Sequence, residues 1–286
     1  MKNTLLTTIM GALMLSTVST VRGSVIVTYA ENASQEVSSL SGTSVYDFNS
    51  LSLGRNTNVS WNNVGTFDQL YIKNPDQYGG ATDSTHSGGT KYSVQGVGTS
   101  VSSSTLSLNQ NSGYFGLWWS AGDASNVLDF YQNDSLVGEF KTNTLLTALG
   151  SSYKGNPRNR SLDSGEPFAF INFYGDANTT WNKIVFRNAT SSGFESDNYT
   201  SRTSTYNQAT DGTGSLGASL ARVTGTTTTT LSPSASGAAL WGSAGAVPGA
   251  PAPPLPLIAA FATALLMKAR KGASKRKNGQ DFAVSA

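Results

Sequence analysis

The feature that most constrains this fold is a series of short β-prone segments separated by Gly, Asn and Ser turns. Runs rich in β-branched and aromatic residues between such turns are typical of strands. Within residues 24–200, only 144–149 have a helical pattern, with Asn143 as the predicted N-cap. Many short strands without long helices predict an all-β fold, an antiparallel β-sandwich or jelly-roll-like domain. The predicted strands are 24–29, 45–48, 67–72, 91–94, 105–108, 114–119, 127–131, 136–140, 168–174 and 181–187.

The composition excludes several functional classes. The 286 residues include no cysteine and a single histidine, His86. Thiol catalysis, disulfides, thiolate metal sites and multi-histidine metal centres are therefore impossible. Both ends of the chain are basic and the centre is acidic, so we expect no basic face for phosphates and no nucleic-acid partner.

Residues 1–23 have the pattern of a secretory signal peptide. Lys2 precedes a mostly apolar run at 5–18, and small residues follow it. This order predicts cleavage after Gly23, with Val21 at the −3 position. The alternative is a buried N-terminal strand or helix. We expect export through the inner membrane to the cell envelope, the cell surface or the extracellular matrix.

The rest of the chain divides by composition. The β domain is predicted to occupy residues 24–200. Residues 201–246 are rich in Ser, Thr, Gly and Ala, with five threonines in a row at 226–230, and predict a disordered stalk. Residues 247–277 have a different composition again, and 278–286 form a tail.

The C-terminal region combines a proline-rich stretch, a short apolar run and a basic cluster. The apolar run predicts one short hydrophobic transmembrane helix at about 255–267, which would rise about 20 Å against a hydrocarbon core of about 30 Å. Snorkelling lysines and local thinning of the bilayer can compensate for this shortfall. The basic flank should stay in the cytoplasm. The residues predicted to direct sorting and processing are Pro248, Pro251, Pro253, Pro254, Pro256, Lys268, Arg270 and Lys271.

This order of parts resembles the PEP-CTERM sorting signal of bacterial exosortase-processed proteins. Pro-Gly-Ala-Pro-Ala-Pro-Pro-Leu-Pro stands here in place of the Pro-Glu-Pro motif. Residues 114–131, 164–173 and 192–198 are similar to blocks of cyanobacterial-type exosortase-dependent surface proteins. The resemblance implies a sorted surface protein whose partners are an exosortase-type processing enzyme and the membrane, and it supplies no catalytic residue. The alternative is a simple tail anchor or an unprocessed hydrophobic terminus.

Adjacent tryptophans in the segment 114–119 suggest a ligand-binding surface. Trp118 and Trp119 could stack on sugar rings, because flat aromatic rings pack on sugar faces. Alternation along a strand places the two side chains on opposite sides. Core packing is therefore the competing interpretation for most of these rings.

Acidic residues in glycine-containing turns are candidate metal ligands. Asp123, Glu195 and Asp197 offer the carboxylate oxygens that suit Ca²⁺. No segment has the EF-hand spacing, and Asp and Asn also form turns without any metal. Calcium is the one cofactor that the sequence suggests.

We expect a non-enzymatic, structural or adhesive role in the envelope or exopolysaccharide layer, with surface polysaccharide as a partner. The first alternative is a lectin-like carbohydrate-binding module that uses Ca²⁺. The second is a glycan-active enzyme, for which Glu166 and Glu195 could be the carboxylate pair. No Gly-x-Ser-x-Gly nucleophile motif is present.

Overall fold

A computed structural model describes residues 23–231, except 83, 84, 87, 178 and 191. The predicted signal peptide up to residue 22, the C-terminal part of the stalk (232–246), the proline-rich sorting signal and the hydrophobic helix at 255–267 lie outside the described residues. Within the described part of the chain, no helix has the length and apolar character needed to cross a bilayer.

The described residues form one sheet of 14 strands, in which every neighbouring pair of strands is antiparallel. The all-β antiparallel prediction is confirmed. The strands are β1 (Val25–Tyr29), β2 (Ser44–Tyr46), β3 (Gly54–Trp61), β4 (Gly65–Lys73), β5 (Tyr92–Gly96), β6 (Ser103–Ser112), β7 (Tyr114–Ser120), β8 (Asn126–Gln132), β9 (Ser135–Lys141), β10 (Ala169–Gly175), β11 (Trp181–Asn188), β12 (Gly193–Arg202), β13 (Ala218–Thr224) and β14 (Thr227–Thr230).

The sheet folds back so that its two halves face each other across an aromatic core. The first half has the order β14-β13-β1-β10-β7-β12-β5, and the second half continues with β4-β6-β11-β8-β9. Phe115 of β7 meets Phe186 of β11 with ring centroids 5.6 Å apart, and Phe130 of β8 meets Phe173 of β10 at 5.0 Å. Aromatic pairs at these separations stabilise the packing beyond the area they bury.

The two ends of the strand order also meet. Gly138 of β9 pairs with Gly225, which lies in the turn between β13 and β14. The Glu139 amide donates to the Gly225 carbonyl at 2.7 Å, and the Gly225 amide donates to the Val137 carbonyl at 2.7 Å. This contact nearly closes the sheet.

The helices of the described residues are short: α1 (Asn143–Ala148), α2 (Gln208–Asp211) and two 3₁₀ turns (Ser151–Tyr153 and Thr213–Leu216). α1 confirms the helical prediction at 144–149, but Asn143 is not its cap. The N-cap residue is Thr142, which makes no side-chain capping bond. Its hydroxyl donates instead to the carbonyls of Asp123 (2.6 Å) and Asn126 (3.1 Å). These bonds hold the start of the helix against the β7–β8 turn.

The folded domain extends beyond the predicted boundary at residue 200. β12 continues through Arg202, and β13 pairs with β1 from Val25↔Val223 to Tyr29↔Ala218. Leu220 and Val223 lie in the main core. The prediction that the stalk begins at 201 is therefore wrong, since residues 218–230 contribute two strands to the sheet. The low content of large apolar residues concealed this, because Leu220, Ala221 and Val223 are the only residues of this segment in the main core of the described chain.

The outer face of the first half of the sheet is covered as well. Ala81 from the β4–β5 loop and Phe168 just before β10 pack with Trp118 and Phe170 in a second apolar cluster. The side chains of β7 and β12 that point away from the main core are therefore buried beneath loops.

Candidate functional site

The two tryptophans of β7 lie on opposite faces of the strand, as alternation predicts, but both are fully buried. Trp119 belongs to the main core, and its Nε1 donates to Asn126 Oδ1 at 2.7 Å. Trp118 packs in the outer apolar cluster beside Phe168, with ring centroids 6.4 Å apart. The prediction that they form a sugar-binding platform is wrong in this structure, because neither ring is accessible for stacking.

The segment predicted as an acidic turn is instead the central strand β12, which is almost entirely buried. Asp197 is fully buried on this strand. One carboxylate oxygen accepts from the Ala81 amide at 3.0 Å and from the Thr90 hydroxyl, and the other accepts from the Asn198 amide at 2.7 Å. Asp197 thus fastens the β4–β5 loop to the sheet.

The predicted calcium ligands do not form one group. Asp123 lies in the β7–β8 turn, and its Oδ1 accepts from the Ser125 amide at 2.6 Å, which is a turn-stabilising bond. Among the residues that the structure describes, no three acidic or histidine side chains are arranged to hold a metal ion. The set of Asp123, Glu195 and Asp197 is therefore not brought together as a metal site.

Glu195 is a buried carboxyl group on the same face of β12 as Asp197. Burial is the main cause that raises the pKa of Glu195 to about 8, with smaller contributions in the same direction from the negative charges of Asp123 and Asp76, while Lys73 acts to lower it. In the pairing of β12 with β7, Ser120 lies directly opposite Glu195. The Ser120 hydroxyl is buried and has no hydrogen-bond partner.

Glu166, in the loop before β10, lies within electrostatic reach of Glu195. Burial and the neighbouring carboxyl group of Asp163 raise the pKa of Glu166 to about 8, and Glu195 and Asp123 contribute in the same direction. Carboxyl groups that titrate near neutral pH can hold and release a proton, which is the property that general acid–base chemistry requires. Glu166 and Glu195 are the two carboxyl groups that the sequence suggested as a pair.

A cavity of about 570 Å³ lies at the end of the β8–β9 hairpin. Its lining includes hydrogen-bonding side chains of Gln132, Ser135, Thr179 and Thr180 beside the apolar side chain of Leu136. This volume lies in the range typical of small-molecule sites.

One polar atom at the end cavity lacks a partner. Gln132 Oε1 is buried without a hydrogen bond, although Gln132 Nε2 donates to Asn111 Oδ1 at 3.3 Å. A buried acceptor without a partner is costly. No sequence pattern indicates this cavity, because its residues come together only where the β8–β9 hairpin meets the turn between β10 and β11.

The comparisons with known proteins leave the family open. No family model and no curated protein matches the chain. One solved structure with a matching chain is the catalytic domain of a GH87 alpha-1,3-glucanase variant in complex with tetrasaccharides. The sequence identity is 14%, the TM-score is 0.32, and the match covers 60% of this chain and 30% of that chain. The chain thus spans less than a third of that structure, and this likeness supports no argument about function.

Proposed function

We propose that the chain is an exported surface protein, a jelly-roll-like β domain sorted by an exosortase-type enzyme, with an adhesive role in the envelope or exopolysaccharide layer. The supporting observation is the position at which the domain begins. β1 starts at Val25, two residues after the predicted cleavage site, and lies in the interior of the sheet between β13 and β10. A signal peptide removed after Gly23 would leave this strand intact.

The sorting part of the proposal rests on the C-terminal sequence. The proline-rich stretch 248–256, the apolar run and the basic cluster follow the last described residue, Leu231, in the order expected for a processed signal. Cleavage there would release the domain from the hydrophobic segment or transfer it to another anchor.

The test is the intact mass of the protein isolated from its native envelope and culture medium. The expected mass lacks residues 1–23 and everything beyond the region 248–256. As a matched variant, Lys268→Gln combined with Arg270→Gln and Lys271→Gln should leave N-terminal removal unchanged and reduce C-terminal processing. A native protein that retains residues 268–286 contradicts sorting and indicates an ordinary membrane-anchored ectodomain.

Glycan binding at the end cavity is the second candidate function, and the mixed polar and apolar lining of this cavity favours it. Sugars present hydroxyl donors beside apolar C–H faces, which suits a lining of Gln, Ser and Thr side chains next to Leu136. The probe is a set of soluble fragments of the exopolysaccharide of the source organism, titrated calorimetrically. Gln132→Ala should weaken binding about tenfold, equivalent to about 1.4 kcal/mol. Gln77→Ala, at an exposed position, is the control and should bind as the wild type does. Equal affinities of Gln132→Ala and the wild type contradict this site.

A further inference from the structure

The start of β1 is tied closely to the turn that follows β10. The backbone nitrogen of Ser24 donates to Asp176 Oδ2 at 3.1 Å, and the Ser24 hydroxyl donates to the same oxygen at 2.6 Å. The Asp176 amide donates to the Ser24 carbonyl at 3.0 Å. Ser24 itself is buried. One carboxylate therefore faces the backbone nitrogen of the residue that follows the predicted cleavage site.

The turn holds this carboxylate in place. The Thr179 amide donates to the Asp176 carbonyl at 2.8 Å, and the Thr179 hydroxyl donates to Asp176 Oδ1. From β13, Arg222 Nη1 donates to the Ser24 hydroxyl at 2.7 Å and lies 3.6 Å from Asp176 Oδ2. Asp176 and Arg222 are thus the charged groups that meet Ser24 from the two neighbouring strands.

The residue before Ser24 passes through a narrow space. A Cβ atom at Gly23 would lie 2.1 Å from the Thr179 hydroxyl oxygen, so a side chain does not fit there unless Thr179 moves. Hydrolysis after Gly23 leaves the Ser24 nitrogen directed at Asp176.

We infer that Asp176 is the binding site for the α-ammonium group of a mature N-terminus at Ser24. This inference rests on the export step of the proposed function. Hydrolysis of the Gly23–Ser24 peptide bond consumes one water, whose oxygen stays on Gly23 as part of its carboxylate and whose two hydrogens convert the Ser24 nitrogen into an ammonium group. No oxidant or further reactant is required.

The new charge changes the energetics of this contact. An amide nitrogen has one hydrogen and no charge, whereas the ammonium group has three hydrogens and a positive charge, and charge-assisted hydrogen bonds to carboxylates are about twice as strong as neutral ones. The burial of Ser24 and the positive charge of Arg222 both oppose the ammonium group and offset part of this gain. The mature chain should therefore favour the protonated α-amine when Asp176 is present.

The test uses the chain from Ser24 to Ala286, prepared with a free α-amine, and follows the ¹⁵N resonance of that amine against pH. An unperturbed α-amine has a pKa of about 8, and the expected value here is about one unit higher. The Asp176→Asn variant should return it to about 8, and Arg222→Gln should raise it above the wild type. Asp134→Asn, an exposed carboxylate paired with Lys183, is the matched control and should leave it unchanged.

An α-amine with a pKa of about 8 in the folded wild-type chain overturns the pairing, and this measurement needs no variant to fold. A second readout is the midpoint of thermal unfolding, which acetylation of the α-amine should lower in the wild type and leave unchanged in Asp176→Asn. The mass of the native protein separates the two ideas: a native chain that begins at another residue overturns the processing site, whereas the titration tests the pairing itself.

Discussion

Glu195 occupies a site where a charged carboxylate is poorly solvated. Only 9% of its surface is exposed, and it lies opposite the unpartnered hydroxyl of Ser120 on β7. The positive charge of Lys73 lowers the pKa of Glu195, but this effect is smaller than that of burial. The folded chain therefore keeps this group protonated at pH values where the unfolded chain has released the proton.

We predict that this residue makes stability fall as the pH rises. The pKa of Glu195 is raised from 4.5 to about 8, so its contribution to stability is fully present below 4.5 and is lost as the pH rises through 8. Between these two pH values, each pH unit lowers the free energy of unfolding by about 1.4 kcal/mol. Glu195→Gln mimics the neutral form. Its free energy of unfolding should exceed that of the wild type by about 1 kcal/mol near pH 5 and by about 4 kcal/mol near pH 8. Urea unfolding at both pH values measures this.

Glu31→Gln is the control for this experiment, because Glu31 is exposed. Its stability should follow that of the wild type at both pH values. If Glu195→Gln also follows the wild type, the carboxyl group of Glu195 is not buried in the way that the structure shows.

The tryptophans of β7 show how far single residues could be assigned from the sequence. Alternation predicted correctly that Trp118 and Trp119 lie on opposite faces. It could not predict that both would be buried, because the cover over Trp118 comes from loop residues such as Ala81 and Phe168, which are far away in sequence. Irregular loops have no period from which a buried face can be inferred.

At the level of elements, strands with apolar side chains were predictable and polar strands were not. Ten of the predicted segments overlap strands of the sheet, from β1 to β11 with the exception of β3. β12 was interpreted as a turn because it contains Glu195, Asp197 and Asn198 in succession with few apolar residues. Asp197 is buried with hydrogen bonds from Ala81 and Thr90, and hydrogen bonds between distant residues leave no pattern in a single sequence.

The position of β13 leads to a prediction about the domain boundary. A fragment of residues 24–231 should unfold cooperatively, whereas a fragment of 24–200 should not fold. Without β13, the strand β1 loses one of its two neighbours, and the core loses Leu220, Ala221 and Val223. Circular dichroism and thermal unfolding of the purified fragments measure the difference.

A third fragment, 24–246, is the control, because it adds only residues of the predicted stalk. Its midpoint of unfolding should equal that of 24–231. A cooperative transition of 24–200 at that same midpoint would restore the boundary predicted from the sequence.

The closure of the sheet is a property of the whole set of described strands rather than of one element. It depends on two glycines that the chain brings together from β9 and from the β13–β14 turn. Gly225 has φ +56°, in the left-handed region that favours glycine. A Cβ atom at Gly138 would lie 3.2 Å from Val25 Cγ2 and 3.3 Å from Val223 Cγ1. Both sides of the junction are therefore packed closely.

We predict that Gly138→Val separates the two ends of the strand order. The branched side chain would push against Val25 and Val223, and overpacking of this kind costs about 1–3 kcal/mol. The amide hydrogens of Glu139 and Gly225, which form the closing bonds, should then lose protection from hydrogen exchange. Amides between β7 and β10, in the interior of the first half, should keep theirs.

Gly150→Ala is the matched control, because its φ is −72° and a Cβ atom there meets nothing within 4 Å. It should leave both stability and exchange unchanged. If Gly138→Val lowers stability while the amides of Glu139 and Gly225 stay protected, the closing hydrogen bonds survive and the cost arises from local crowding. Loss of protection confined to these two amides would instead show that the junction opens while the two halves of the sheet stay packed. The core pairs Phe115–Phe186 and Phe130–Phe173 join these halves through ring contacts that do not include the junction glycines.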